Sequence, residues 1–355
     1  MDNLLDRSAP VRSDEQLDVA RLEPYLRERL PDAQGALVVE QFPSGHSNLT
    51  YLLRFEGREY VLRRPPFGSK VVAAHDMGRE FKVLSKLHAV YPPAPRPFLY
   101  CEDESVLGVK FYVMERVRGI ILRHTAPPGF AWNPGMVHRC CESFVENLAQ
   151  LHALDYQAIG LAELAKPGQY MERQVRGWSQ RYYGSKTDDI PDIETMIRWL
   201  QERIPPDSGA VLIHNDYKFD NIVLDPSDPA RIIGVLDWEM ATIGDPLSDL
   251  ACALSYWIEP GDAPEFKPVT CFLTTLPGSM TRSDVAERYG ARTGRDTSNL
   301  LCYYIFALLK LAVIIQQIYY RYAKGFTKDP RFATMIDMVR TLGKRASATI
   351  EAGTM

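Results

Sequence analysis

The sequence predicts an α+β chain built as two lobes, a small antiparallel-sheet lobe followed by a larger, mainly helical one. Two observations carry the prediction. Short runs rich in Val, Leu, Tyr and Phe, separated by turn residues, fill positions 36–65 and recur at 110–117, with one helical stretch between them. Beyond Val117 helical periodicity dominates, and a single patch, Val211 to Asp237, reads as β. With 355 residues there is chain enough for both lobes to bury a core. The expected division is a helical segment over 1–34, a sheet lobe over 35–117 and a helical lobe over 118–355.

Residues 14–29 place Leu17, Ala20, Leu22, Tyr25 and Leu26 at helical spacing with charges between them, which predicts an amphipathic helix. GALVVEQF, NLTYLLRF and REYVLRRP then read as three strands of an antiparallel meander, broken by Pro43, Ser44 and Gly45 and by Glu56-Gly57. A helix over 77–90 follows, with Phe81, Leu84, Leu87 and His88 on one face; after the Pro-rich YPPAPRP comes the strand KFYVMERV. In the second lobe, helices are expected over 137–154, 168–183, 193–203, 246–257, 282–292, 300–322 and 331–350. Two starts are legible: Thr281 with Asp284 makes a capping box, and Asp245 caps a helix whose first residue is Pro246. Within the β patch, IVLD and RIIGVLD flank the turn PSDPA as a hairpin. Leu300 to Tyr320 approaches the length of a membrane span, but Lys310 at its centre, with Gln316 and Gln317 near its end, predicts a buried helix of a soluble core.

Composition narrows the function. The chain is 46% hydrophobic and 24% charged, and its 41 basic against 45 acidic residues give a net charge of −4. Neither a disordered chain nor a basic nucleic-acid binder fits those figures, whereas an enzyme of small metabolites does. The six cysteines, at 101, 140, 141, 252, 271 and 302, form no C-x-x-C and have no His at ligand spacing, so reduced thiols are expected rather than zinc or a disulfide scaffold. The opening MDNLLDRSAP lacks a basic stretch followed by an apolar one, so no signal peptide is expected and the reading is cytoplasmic.

The β patch carries the chemistry. It contains H-x-D-x-x-x-x-N at His214, Asp216 and Asn221, with Asp237 after the hairpin. Phosphoryl transfer through a loose transition state asks a protein mainly to position and neutralise, so it needs a carboxylate beside the attacking hydroxyl and oxygen ligands for Mg²⁺. Asp216 supplies the carboxylate, while Asn221 and Asp237 supply the ligands. Asn221 stands five positions after Asp216, room for a loop to turn back, and the hairpin returns Asp237 to the same edge. Lys218 lies where many protein kinases carry a lysine that meets the transferred phosphate. Asp237 is followed by Trp238-Glu239 rather than Phe-Gly, and no A-P-E occurs, which argues against a protein kinase.

At these residues the sequence resembles the aminoglycoside phosphotransferase family, the small-molecule branch of the kinase-like fold that includes choline kinases and fructosamine kinases. The resemblance covers nearly the whole chain. Within the family the chain looks most like the kinase-like domains fused to, or associated with, certain acyl-CoA dehydrogenases, on the stretches VLRRPP, FYVMERVRG, MERQVRGW, HNDYKFDN and LDWEMATIGDPLSDLA. The resemblance implies a bilobal protein-kinase-like fold, ATP and Mg²⁺ as cofactors, and Asp216 as the catalytic aspartate. It also implies that Asn221 and Asp237 bind Mg²⁺ and that Asp249 braces the catalytic loop. A partner acyl-CoA dehydrogenase follows from the same likeness; nucleic acid and membrane partners are not expected.

The sheet lobe then reads as an ATP clamp. Ser44, Gly45 and Ser47 are small enough to let backbone amides approach phosphates, although one glycine stands where protein kinases have G-x-G-x-x-G. In YVLR, Arg63 occupies the place of the usual phosphate-binding lysine, with Glu80 as its partner on the next helix. Glu115 and Val117 are expected to offer backbone hydrogen bonds to adenine, with Met114 packed behind. Glu239 is a candidate supporting group, and His152 reads as a satisfied core histidine. For the acceptor, residues 167–186 hold Arg173, Arg176, Arg181 and Lys186 against Glu172, interleaved with Trp178, Tyr182 and other aromatics. Arg173, Arg176, Trp178, Arg181 and Tyr182 are therefore candidate substrate residues, and their charge favours a hydroxy acid or hydroxyacyl-CoA over an aminoglycoside or other amino alcohol. The acidic EPGDAPEF at 259–266 pulls the other way. A catalytically silent nucleotide-binding module is the remaining alternative, and it sits badly with the presence of Asp216, Asn221 and Asp237 together.

Overall fold

Strands β1 (Val38–Gln41), β2 (Leu49–Phe55), β3 (Arg58–Arg64), β4 (Pro97–Cys101), β5 (Phe111–Glu115) and β6 (Ile120–Ile121) come first in the computed structural model. Among them lie helices α1 (Val19–Arg27), α2 (Met77–Leu87) and α3 (Glu104–Leu107). Helices α4 (Pro134–His152), α5 (Tyr170–Ser185) and α6 (Pro191–Gln201) follow. Strands β7 (Val211–Ile213), β8 (Ile222–Leu224), β9 (Ile232–Val235) and β10 (Thr242–Gly244) precede helices α7 (Pro246–Ser255), α8 (Arg282–Thr293), α9 (Leu300–Ala323) and α10 (Met335–Ala352). The structure describes residues 5–43, 48–67, 76–125, 130–265, 271–327 and 329–355.

One unit draws on the residues up to 121, with 159–161 and 221–241. Its five-stranded antiparallel sheet runs in the order β1-β2-β3-β5-β4, as the meander expectation requires for its first three strands. Period-two alternation sends Tyr51, Leu53, Tyr60, Leu62, Phe111 and Val113 into one core, where Leu22 and Leu26 of α1 join them. The opening helix is thus part of the sheet's core. On the opposite face Leu52, Val61, Arg63 and Tyr112 are also buried, and Phe81 of α2 stacks on Tyr100 with ring centroids 5.5 Å apart. Burial on both faces explains why these strands read as nearly continuous apolar runs.

Strand β4 was not expected from sequence. Its first residue is Pro97, and a run of prolines signals a connection; proline is tolerated because β4 is an edge strand with a register irregularity between Pro97 and Leu99. The hairpin β8–β9 forms as expected, and β6 adds to it in a sheet of order β6-β8-β9. The Val235 amide donates to Pro93 O at 2.8 Å. Contacts of this kind group residues 221–241 with the sheet unit, whereas the sequence division assigns them to the helical lobe.

The other unit comprises residues of 122–158, 162–220 and 242–355. Helix α9 is its axis, packed against α5, α6, α7 and α10. Among the described residues α9 is the one helix long and apolar enough to cross a membrane, and 72% of its apolar window is buried. Both expected caps are present: Thr281 Oγ1 accepts from the Asp284 amide at 3.1 Å while Asp284 accepts from the Thr281 amide at 2.8 Å, and Asp245 Oδ1 accepts from the Leu247 amide at 2.8 Å. The expected single β patch is divided. Strand β7 pairs with β10, Ile213 opposite Thr242, while the hairpin strands belong to a separate sheet; the chain leaves β7 through a left-handed residue, Asn215, with φ of 70°.

Candidate active site

Alternation on β3 decides where Arg63 points. Val61 and Arg63 lie on the α2 face of the sheet, and Glu80 is on the first turn of α2, so the two meet: the Arg63 guanidinium donates to Glu80 and, at 2.8 Å, to Asp237 Oδ1. Glu239 Oε2 stands 3.7 Å away and accepts from the Asn48 side chain. The Trp238 amide donates to Glu80 Oε1 at 3.1 Å. One guanidinium therefore faces three carboxylates. Burial works against the charge of Arg63, but Glu80, then Asp237, hold it well above its ordinary value. Burial raises the Glu80 carboxyl above its ordinary value; Arg63 opposes the rise and Asp237 adds to it.

The hairpin supplies the rest of this group. Asn221 O accepts from the Leu236 amide at 2.7 Å, and Ile222 pairs with Val235. Asn221 and Asp237 thus sit on the two chains at the open end of one hairpin. Asp237 has φ of 69°. Among the described residues only three non-glycine residues have positive φ, namely Asp32, Asn215 and Asp237; Asp237 is one of the residues singled out by the motif, and Asn215 lies between two of them, His214 and Asp216. Such backbone is strained and tends to be kept where function needs it.

In the helical unit, β7 delivers His214, Asn215 and Asp216 in succession. Asp249, in the first turn of α7, accepts from the His214 amide at 2.8 Å and the Asn215 amide at 2.6 Å. His152 Nε2 lies 3.1 Å from the same carboxylate, and its Nδ1 is 2.7 Å from Tyr289 Oη. This is the bracing expected of Asp249, and His152 is the satisfied core histidine that its apolar helix face implies. Burial raises Asp249, but His152 and His214 outweigh it and hold the carboxyl below its usual range. The Asp216 amide meets His214 Nδ1 at 3.3 Å, and Lys218 Nζ lies 3.0 Å from the Asp216 carboxylate. Lys218 also sits 4.6 Å from the Tyr256 ring centroid. Burial lowers its tendency to hold a proton, yet Asp216 overrides burial and keeps the ammonium well above its ordinary value. Lys218, Asp220, Tyr256, Trp257 and Cys271 line a small cavity beside this loop.

Ser44, Gly45 and Ser47 lie outside the described residues. Met114 is buried in β5, but the Glu115 amide already donates to Arg96 O at 2.8 Å, and Val117 is half-buried just past the strand. On α5 the aromatic and basic residues separate. Trp178 and Tyr182 are 8% and 0% exposed, on the face that meets α9 and α6, so neither ring presents a surface to solvent. Arg176 and Arg181 are on the exposed face, Arg181 over Trp178 at 4.6 Å, and Arg173 donates to Pro167 O at 2.8 Å. The acidic segment is partly neutralised: Glu259 and Asp262 pair with Arg282 at 3.2 and 2.6 Å, and Asp262 with Arg345 at 3.4 Å. Sequence reasoning missed Asn48, Tyr256 and the contact of Arg63 with Asp237. An Asn closing a loop at the start of a strand was the only signal for the first.

Three comparisons bear on these groups. Residues 38–270 match the phosphotransferase enzyme family. The chain is 37% identical over 317 residues to rat (Rattus norvegicus) acyl-CoA dehydrogenase family member 11, covering 87% of this chain and 40% of that one. It thus spans about two-fifths of that relative's length. A Ralstonia eutropha protein solved as a candidate aminoglycoside phosphotransferase is 30% identical, with a TM-score of 0.76 over 94% of this chain and 99% of that one. The fold, though at only 15% identity, is shared with a thermostable mutant of an aminoglycoside phosphotransferase held in a ternary complex with ADP and hygromycin B, with a TM-score of 0.60 over 92% and 98% of the two chains.

Proposed function

This chain belongs to the phosphotransferase enzyme family, and within it we propose a small-molecule kinase that uses Mg²⁺ and moves the γ-phosphate of ATP to a hydroxyl of an anionic metabolite. The observation that carries the reading is the joint between Asn221 and Leu236, which sets two oxygen-bearing side chains, Asn221 and Asp237, at one hairpin end. The residues fit the metal. Among the described residues no three His, Cys, Asp or Glu side chains cluster to hold an ion alone, and Mg²⁺ in such sites takes one or two protein oxygens and completes its shell with phosphates and water. The surplus carboxylate around Arg63 suits an added cation. Bound there, Mg²⁺ supplies positive charge to the oxygens between which the phosphoryl group passes.

The protein's own groups have separate tasks. Asp216 orients the acceptor hydroxyl and takes its proton, and Lys218, held beside it, neutralises charge on the transferred group. Arg63 forks onto phosphate oxygens while Glu80 holds its other side. The neighbour complexed with ADP supports nucleotide use. Arg63→Ala is expected to raise KM for ATP by about tenfold, and Arg63→Lys to restore part of the loss, since charge returns without the fork. Unchanged ATP kinetics with a lower Tm would make the cluster purely structural.

For the acceptor the reading is a hydroxyacyl-CoA or hydroxy acid, acting beside an acyl-CoA dehydrogenase in the cytoplasm. Support comes from the relative's name, from the exposed Arg176 and Arg181, and from the ion pairs that occupy Glu259 and Asp262, which leave those acids unsuited to gripping a polycation. An ADP-release screen of hydroxyacyl thioesters, hydroxy acids and kanamycin-like amines tests it. Turnover of the thioester should weaken with salt, and Arg176→Glu or Arg181→Glu should raise its KM roughly threefold to tenfold without moving KM for ATP. Efficient turnover of the amines alone would overturn the acceptor assignment and leave the kinase assignment standing.

A further inference from the structure

The middle of α9 carries a lysine to which the phosphate-transfer reading gives no task. Lys310 is 5% exposed in a helix that is otherwise apolar at that level. Burying an ammonium is costly unless acceptors meet it, and here both main acceptors belong to one residue: Nζ donates to Asn215 O at 2.7 Å and to Asn215 Oδ1 at 2.6 Å. Cys252 Sγ is 3.6 Å away. Asn215 is left-handed, with φ of 70°, and its amide donates to Asp249 Oδ1 at 2.6 Å.

These bonds fix two different peptide planes. The Asn215 amide belongs to the plane shared with His214, and Asp249 holds it. The Asn215 carbonyl belongs to the plane shared with Asp216, and Lys310 holds that one. A residue whose two flanking planes are both held cannot relax from the left-handed region, which a non-glycine residue would otherwise tend to leave. Asp249 alone does not achieve this, because it holds only the first plane; the plane leading into Asp216 is held at its carbonyl by the two-pronged bond from Lys310, with the longer 3.3 Å contact of the Asp216 amide to His214 Nδ1 on its other side.

We propose that Lys310 is a positioning residue that clamps Asn215 in its left-handed turn and thereby aims the Asp216 carboxylate. The consequence for rate rests on the role given to Asp216 above; the clamp does not. Hydrogen exchange of residues 211–220, read by mass spectrometry, is the test, and it needs no acceptor. Lys310→Met, close in length and uncharged, should speed exchange in this segment by about tenfold or more, since two charge-assisted hydrogen bonds are lost. Asn215→Ala, which removes the side-chain acceptor and leaves Lys310 in place, should do the same to a smaller extent. The two effects should be less than additive, because they act through one contact. With an acceptor found by the screen above, Lys310→Met should lower kcat about tenfold with KM for ATP unchanged. Exchange unchanged in a folded Lys310→Met protein, or quickened evenly over the whole helical unit, would overturn the clamp. If that variant does not fold, unchanged exchange in Asn215→Ala overturns it instead. A loosened loop with no phosphate transfer to any acceptor would keep the clamp and sink the kinase reading.

Discussion

Asp216→Asn is expected to cut kcat by roughly two to four orders of magnitude while leaving nucleotide affinity nearly intact. The amide is close in size to the carboxylate, and the backbone around it is held by bonds the substitution does not touch, from the His214 and Asn215 amides to Asp249. What is lost is the negative oxygen to which we assign the hydroxyl proton, together with the ion pair to Lys218 at 3.0 Å. Lys218 then lies against a neutral group in a half-buried place, so a modest fall in Tm should accompany the loss. Single-turnover rates and an ADP titration on the same preparation separate the two effects. Equal rates for variant and wild type would remove Asp216 from the reaction.

The second large effect is expected at Asp237. Asp237→Ala should abolish the Mg²⁺ dependence of nucleotide binding, on the order of a hundredfold in affinity when the metal is present and little when it is absent. Alanine also adopts the left-handed backbone at φ 69° less readily than aspartate, adding about 1 kcal/mol of destabilisation. Arg63 keeps Glu80 as a partner, so the fold should survive. Asp237→Asn separates charge from backbone, since asparagine tolerates that conformation; it should lose the metal dependence with a smaller drop in Tm. Calorimetric titration of ADP with and without Mg²⁺ checks both variants, and metal-enhanced binding that persists in Asp237→Asn would rule Asp237 out as a ligand.

Much of this arrangement was legible before any coordinates. The His214, Asp216, Asn221 and Asp237 spacing needed only the knowledge that a hairpin returns a chain to its starting edge. Pairing of Arg63 with Glu80 was implied by the likeness of YVLR to a strand that ends in a phosphate-binding lysine, and the alternation of β3 against the first turn of α2 is what brings the two together. Other features gave no signal. Trp178 and Tyr182 looked like substrate rings because aromatics interleaved with arginines resemble a binding face, yet helical periodicity turns both inward against α9 and α6 and leaves Arg176 and Arg181 outside. Strand β4 was hidden by the prolines that only an edge strand accepts.

Local order and chemical equipment were therefore written in the sequence by itself: the meander, the capped helices, the hairpin and the spacing of His214, Asp216, Asn221 and Asp237. Those features depend on neighbours within a few residues, and period, cap and turn report them directly. Which charges meet in the interior was decided only by the tertiary structure. Arg63 reaches Asp237 across 174 positions, and Lys310 reaches Asn215 across 95. In sequence Lys310 appears only as an interruption of an apolar helix. Folded, it is the cation that two oxygens of Asn215 require, because a buried charge must find its acceptors wherever packing brings them.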